Sequence, residues 1–201
     1  MAAYGPRRVQ RVSTEFAFAL LSCLGLWCCA AGAQAPAGSP QPVLVGTVTD
    51  VIDGDTIRVR LGSGPITVRL HSIDSPERDQ PWGVEAAAAL RRRIEGLQVS
   101  LEPVTQDRYD RLVAVVFLGD HNVNAWLVRQ GDAWAYRRYL DDPDYCAWED
   151  AARSAGRGLW SLPADSLRAP WEWRAARRGG RKAYTDYSHE TVQKCIAAMR
   201  P

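Results

Sequence analysis

"VIDGDTIRVRLGSGPITVRLHSID", residues 51–74, holds the end of one strand, two complete strands and the two turns between them. Asp53-Gly54 between two apolar runs is a strong short-range hairpin signal. In "TIRVRL", Ile57, Val59 and Leu61 alternate with Arg58 and Arg60. In "ITVRLHSI", Ile66, Val68 and Leu70 alternate with Thr67, Arg69 and His71. Period-2 alternation is the mark of a half-buried strand, and Gly62, Ser63, Gly64 and Pro65 mark the turn between the two runs. Asp55 is the residue that the hairpin does not explain. The second strand restarts there, and Asp is depleted in strands.

Outward from this stretch the signals continue. "PVLVGTVTDVI" before it is β-rich. After it the period changes: Ala87, Leu90, Ile94 and Leu97 in "GVEAAAALRRRIEGL" fall at spacings of 3, 4 and 3, one face of a helix. "QVSLEPV" and "LVAVVFLGD" return to strand. "VNAWLVRQG" reads as a short helix behind Asn122, stopped by Gly131. "YCAWEDAARSAGRGLW" reads as a further helix, with Trp148, Ala151, Ala152, Ala155 and Leu159 on one side. Three strands, a helix, two strands and two helices suit an α+β fold: a five-stranded OB-type barrel with three packed α-helices. Such barrels bind oligonucleotides or oligosaccharides, so the architecture alone leaves function open.

The ends of the chain differ from its middle. Arg7, Arg8 and Arg11 precede the apolar run "FAFALLSCLGLWCCAAGA", which closes on Ala31-Gly32-Ala33. That order predicts an export signal over residues 1–33, removed on secretion to the periplasm or the medium and leaving no stable membrane association. "QAPAGSPQP" follows, with a linker over 34–41. Residues 34–167 carry 14 basic against 19 acidic side chains, a net of −5, and residues 168–201 carry 8 against 3, a net of +5. The predicted barrel domain, 42–162, is therefore acidic, and the extension 163–201 is basic. Bulk charge does not advertise a nucleic-acid binder, so such a function has to rest on local residues. Of five cysteines, only Cys146 and Cys195 lie beyond the signal, and two cysteines in an oxidising compartment pair as a disulfide.

Asp55 gains company downstream. "DSPE", residues 74–77, follows directly on the third strand, which brings Asp74 and Glu77 to the barrel rim beside the hairpin bearing Asp55. Three converging carboxylates repel one another unless a cation sits among them. Oxygen ligands without His or Cys suit a hard cation, Ca²⁺ before Mg²⁺. The spacing is not that of an EF-hand, because Gly54 lies between the two Asp residues. Arg69 alternates onto the polar face of the third strand, and Arg111 heads the fifth. A metal, carboxylates and guanidinium groups are what a phosphodiester under attack requires.

On these residues the chain resembles the staphylococcal nuclease (thermonuclease) family. The matching stretches are "VIDGDTIRVRL", "VRLHSIDSPE", "GVEAAAAL", "QDRYDRLVAVVFLGDHNVNAWLVRQGDAWAY" and "GLW", in family order over roughly residues 42–162. The resemblance implies an OB-type barrel with three helices and Ca²⁺-dependent hydrolysis of DNA or RNA to 3′-phosphates. It implies that Asp55, Asp74 and the Ser75 backbone carbonyl hold the metal, and that Glu77 orients or deprotonates the attacking water. Arg69 and Arg111 would hold the phosphate, with Arg108, Tyr109 and Tyr136 at the bound nucleotide. Two departures stand out. Asp110 occupies a position where Gly is usual, and a carboxylate there is placed to pair with Arg111 or to add to the metal's field. The loop after Glu77, "RDQPW", is short.

Other features have plainer readings. Trp148 and Trp160 fall on apolar faces and suit core packing. "PWEWR", residues 170–174, reads as folding back on the barrel rather than as a stacking platform. "DDPDY" reads as a solvated loop, not a second metal site. The three histidines form no nucleophile–base arrangement. "RRGGRK" is equally a phosphate-contacting arm or a solubilising tail. The function alternative to a monomeric secreted nuclease is a non-catalytic OB module for single-stranded nucleic acid. The set Asp55, Asp74, Glu77, Arg69 and Arg111 separates the two, since a binding module has no use for it.

Overall fold

Strand β1 (Leu44–Asp53) turns directly into β2 (Thr56–Leu61), and their antiparallel ladder closes on Asp53 opposite Thr56. The loop is therefore Gly54-Asp55, one residue later than the composition suggests. Asp53 is still paired, and its carboxylate accepts the Asp55 N–H at 3.0 Å. Asp55 is a turn residue in its own right, which removes the conflict with strand propensity. The next hairpin is tighter than expected too. Strand β3 (Gly64–Leu70) pairs Gly64 with Leu61, leaving only Gly62-Ser63 as loop. Gly64 reaches φ 127°, a conformation that residues with a Cβ rarely enter.

These coordinates come from a computed structural model that describes residues 42–180 and 184–199; the predicted export signal and linker lie outside the described residues. The main sheet runs β3-β2-β1-β5-β6-β7, where β5 is Gln98–Gln106, β6 is Leu112–Leu118 and β7 is the two-residue His121–Asn122. It closes on itself because β3 also pairs with β6, giving the five-stranded barrel. That closing pair is parallel, Val68 to Leu112 and Arg69 to Val113, while the other barrel ladders are antiparallel. β5 carries a register break between Pro103 and Thr105, where Pro has no N–H to offer the ladder.

The alternation read from sequence matches the burial. Ile57, Val59, Val68 and Leu70 point inward with Val48, Val51, Val99, Leu101, Ala114 and Val116, while Arg58 and Arg60 face solvent. Each such aliphatic side chain contributes roughly 1.5–3 kcal/mol on burial. Helix α1 (Gly83–Ile94) adds Leu90 and Ile94 to this core, and α2 (Val123–Gln130) adds Leu127 and Val128. α2 begins and ends where predicted: Asn122 caps it by accepting the Ala125 N–H at 2.9 Å, and Gly131 stops it at φ 75°.

Two helix faces differ from their prediction. α1 ends at Ile94, and Leu97 lies beyond it, exposed. α3 (Asp144–Ser154) is shorter than the stretch that suggested it, and the chain continues into a short 3₁₀ turn, Gly158–Ser161. Its buried face is Tyr145, Cys146, Glu149 and Ala152; Ala151 and Ala155 are exposed. The apolar count selected alanines because it had no way to expect a buried carboxylate. Glu149 is buried because Arg137, Arg153 and the Ala135 N–H all donate to it.

Beyond residue 163 the chain is not a plain tail. α4 (Pro170–Arg177) and α5 (Val192–Ala197) both pack on the domain. Cys146 of α3 is disulfide-bonded to Cys195 of α5. Trp171 and Tyr187 join Trp134 and Trp160 in a second apolar cluster. No helix among the described residues is long and apolar enough to cross a membrane.

Candidate active site

The site is built where β3 leaves the barrel. Ser72 turns the chain at φ 65°, and a two-residue strand, β4 (Ile73–Asp74), pairs with β8 (Trp134–Ala135) just past α2. This ladder buries Asp74 completely. The β1–β2 turn closes on the same spot. Gly54 is needed there for proximity, because a Cβ would collide with the Ser75 side chain. The Ser75 N–H donates to Asp55 Oδ2 at 2.8 Å, and the Ser75 hydroxyl donates to the Asp132 carbonyl at 2.9 Å. Thr56 Oγ1 donates to Asp55 Oδ1 at 3.1 Å. Two turns far apart in sequence thus hold Asp55 and Asp74 together.

Arg69 spans them. One guanidinium nitrogen pairs with Asp55, and the other donates to Asp74 Oδ1 at 2.8 Å. A second arginine arrives from outside the barrel. Arg174 of α4 donates to both Asp74 oxygens, at 3.0 and 2.7 Å, and to Glu77 Oε1 at 2.7 Å. Burial opposes its charge, but the hydrogen bonds and charge of Asp74, then those of Glu77, hold Arg174 protonated more firmly than usual. Tyr136 belongs to the same group: burial first, then the charge of Asp74, raise its phenol above the ordinary value while Arg174 opposes them. Glu77 is fixed by the short loop behind it. Its N–H donates to Gln80 Oε1 at 3.2 Å, and Gly83 leaves room for its carbonyl, which a Cβ would strike.

The β5–β6 turn carries the remaining predicted residues. Asp107 accepts from Arg111 Nε at 2.8 Å and from the Tyr109 and Arg111 N–H groups. Burial works against its charge, but the hydrogen bonds from Arg111 and Tyr109 together bring the Asp107 carboxyl below its ordinary pKa. Arg108 and Arg111 both lie over the Tyr109 ring, at 4.8 and 5.5 Å. Arg111 precedes by two residues Val113, the register partner of Arg69, so strand parity puts it on the face of Arg69. Its polar contacts are nonetheless with Asp107, and neither Arg108, Tyr109 nor Arg111 hydrogen-bonds to the rim carboxylates. Asp110 does not pair with Arg111 as its sequence position suggested. It sits at φ 63° and accepts from Gln106 instead. The positive φ explains why Gly suits this position.

Among the described residues, no group of three or more His, Cys, Asp or Glu side chains is drawn into metal-holding spacing. Guanidinium groups lie between the carboxylates. The donor set itself fits a hard cation. Asp55, Asp74, Glu77 and the Ser75 carbonyl offer only oxygen, and a wholly buried Asp74 requires a cationic partner of some kind.

Residues 67–162 match the family described as staphylococcal nuclease homologue. A protein of Escherichia coli named as an uncharacterized endonuclease is 38% identical over 130 residues, 64% of this chain and 84% of that one. Protein ParB of Escherichia coli is 39% identical over 142 residues, 65% of this chain and 79% of its own. The staphylococcal-like nuclease CAN1 of Arabidopsis thaliana is 36% identical over 113 residues, 56% of this chain and 34% of its own. The chain belongs to the staphylococcal nuclease homologue family.

As a member it is a hydrolase of the nuclease class acting on nucleic acid, and the non-catalytic alternative falls away. The family match ends before α4, so Arg174 lies outside it. Sequence reasoning missed Arg174, although a signal was present. Pro170 at the first position of an eight-residue helix, with Trp171, Arg174 and the C-cap Arg178 at spacings of three and four, lines one aromatic and two cationic residues along one side. Within "DDPDY", Asp141 accepts from Ser72 Oγ at 3.2 Å and contacts His71 Nε2 at 3.1 Å, which secures the bend before β4.

Proposed function

We propose that this nuclease is exported, depends on Ca²⁺, and hydrolyses phosphodiester bonds of DNA or RNA to leave 3′-phosphates. The observation that carries the reading is the bridge that Arg69 makes across buried Asp55 and Asp74, with Glu77 sharing Arg174 with Asp74. Asp55, Asp74 and the Ser75 carbonyl are the groups to hold the cation, in exchange for the contacts of Arg174. Bound there, Ca²⁺ supplies charge stabilisation for the phosphate. Glu77 accepts the proton of the attacking water while a water oxygen–phosphorus bond forms and the bond from phosphorus to the 5′ oxygen breaks. Arg69 and Arg111 hold the phosphate oxygens as their negative charge grows. Arg108, Tyr109 and Tyr136 receive the nucleotide.

Export is supported by the basic, apolar and small-residue order of residues 1–33 and by the Cys146–Cys195 bond, which suits an oxidising compartment. The protein acts as a monomer without membrane attachment once the signal is removed.

The test is hydrolysis of single-stranded DNA by the purified protein in Ca²⁺ and in chelator, with the product ends analysed. Activity in Ca²⁺ alone and 3′-phosphate ends are expected. Glu77→Gln should lower kcat by ~10²–10⁴-fold while a nucleotide 3′,5′-bisphosphate still binds. Cleavage at the wild-type rate by Glu77→Gln would remove Glu77 as the base, and activity undiminished by chelator would remove the metal. Fractionation of cells producing the full chain should find it outside the cytoplasm and shortened after Ala33.

A further inference from the structure

A pocket of about 420 Å³ opens beside the carboxylate rim, between the end of the barrel domain and α4. That size is within the range of small-molecule sites. Its aromatic lining is Tyr136, Trp171 and Tyr187, each half-buried. Tyr136 and Trp171 lie parallel, 5.4 Å between centroids, and Tyr187 meets Trp171 edge-on at 5.9 Å. Its charged lining divides into two kinds. Arg137 and Glu190 are engaged with each other, and Arg174 is engaged with Asp74 and Glu77. Arg138 and Arg178 have no ion-pair partner among the described residues, and both are exposed. With Glu190 already neutralised, the uncompensated charge of the pocket is positive.

The pocket is continuous with the candidate active site, because Arg174 lines one and contacts the carboxylates of the other. Its α4 wall is formed by Trp171 and Arg174 of the helix and by Arg178, the residue that caps its C-terminus. That wall is anchored by Trp171 against Trp134 at 5.8 Å and by Arg137, paired with Glu190, over the Trp171 ring at 5.6 Å.

We infer that α4, which lies outside the region matched by the family, completes a subsite for one nucleotide of a single strand next to the cleaved bond. Arg138 and Arg178 take its backbone phosphates, and the rings of Tyr136, Trp171 and Tyr187 take its base. Unpaired guanidiniums interleaved with aromatic rings are the chemistry that binds single strands without sequence preference: charge follows the backbone and every base offers a π-face. The inference rests on the nuclease reading for the kind of ligand.

Fluorescence anisotropy of a short labelled oligothymidylate, in chelator so that nothing is cleaved, measures affinity and its salt dependence. Each phosphate contact to a single strand contributes about 0.7 to the slope of log K against log salt. The double variant Arg138→Ala/Arg178→Ala should bind about tenfold or more weakly, and its slope should be shallower by about 1.4. Arg58→Ala/Arg60→Ala removes the same formal charge from the exposed face of β2 and should leave the slope at the wild-type value. An unchanged slope in the first pair, or an equal loss in both pairs, overturns the subsite. The two readings separate cleanly. If the wild type cleaves DNA and the Arg138/Arg178 variant binds like it, the nuclease stands and the subsite falls. If the wild type cleaves nothing but binding falls only in the Arg138/Arg178 variant, the subsite stands and the cleavage reading falls.

Discussion

Asp74 is the residue at which guanidiniums from two distant elements meet, Arg69 from β3 and Arg174 from α4. A buried carboxylate of this kind is costly without a partner, and hydrogen bonds to charged groups are worth about 1.5–3 kcal/mol net. A cation that uses Asp74 must displace Arg174. Arg174→Gln should therefore raise Ca²⁺ affinity roughly tenfold or more by calorimetry, and lower the stability of the metal-free protein. An unaltered affinity would mean that Arg174 and the cation do not share Asp74. Tyr145 makes a separate case, far from this chemistry in the core of α3. Burial, the largest influence on it, pushes its phenol up to about 12 from an ordinary 10.0. The unfolded chain then loses this proton first as pH rises, so stability falls through the window from 10 to 12. Tyr145→Phe removes this dependence and loses only a long contact with Asn122, at 3.4 Å. Urea unfolding should show the variant slightly less stable than the wild type at pH 8 and the gap closing or reversing by pH 11.

Elements differ in how far their own residues declare them. β2 and β3 were legible because two-sided strands write their environment as alternation, and α2 because its Asn and Gly caps are local chemistry. The parallel closure of β3 on β6 was not, because it joins residues 68–70 to 112–114 and no local pattern encodes that pairing. α4 and α5, eight and six residues long, lack the length to be stable alone and exist through tertiary packing. The convergence of Asp55, Asp74 and Glu77 was legible from the turns that carry them, whereas the helix pattern around Arg174 could not say which carboxylates it meets, because they lie about a hundred positions away. Glu149 shows the same limit in α3: its burial makes sense only with Arg137, Arg153 and the Ala135 N–H around it. Removing the shared member leaves the Ala135 N–H without its acceptor and leaves Arg137 and Arg153 to share Glu190, with Asp150 beside Arg153. Glu149→Ala should cost about 3–5 kcal/mol in urea unfolding, more than a surface carboxylate on the same helix such as Asp150. A loss below 1 kcal/mol would mean that water replaces the carboxylate at no great cost.

At the scale of the whole molecule, the question is what keeps the C-terminal part on the barrel. Beside the pairs of Arg174 with Asp74 and Glu77, three attachments act together: the Trp134–Trp171 contact, the bonds of Glu190 to Arg137 and Arg153, and the Cys146–Cys195 bond. The first two depend on the segment already being in place, while the third constrains the unfolded chain. The sequence separation is 49 residues, for which the chain-entropy model gives about 4 kcal/mol, with the mechanism itself disputed. Cys146→Ser/Cys195→Ser should therefore lower stability by about that amount. The two functions of the barrel and the extension should then respond in order. The barrel core is made of β1, β2, β3, β5 and β6 with α1 and α2, and the two disulfide cysteines, from α3 and α5, pack at its border. Loosening α5 frees the segment that carries Glu190, which in turn releases Arg137 beside the pocket wall. The reduced or Ser-substituted protein should accordingly lose affinity for single-stranded oligonucleotide at temperatures where far-UV circular dichroism still reports an intact barrel. Stability is read from urea curves of the oxidised and substituted proteins, and affinity from anisotropy at the same temperatures. Binding and barrel signal that vanish together would show that the extension is part of one cooperative unit with the barrel, and that the disulfide acts on the whole fold and not on α4 and its pocket first.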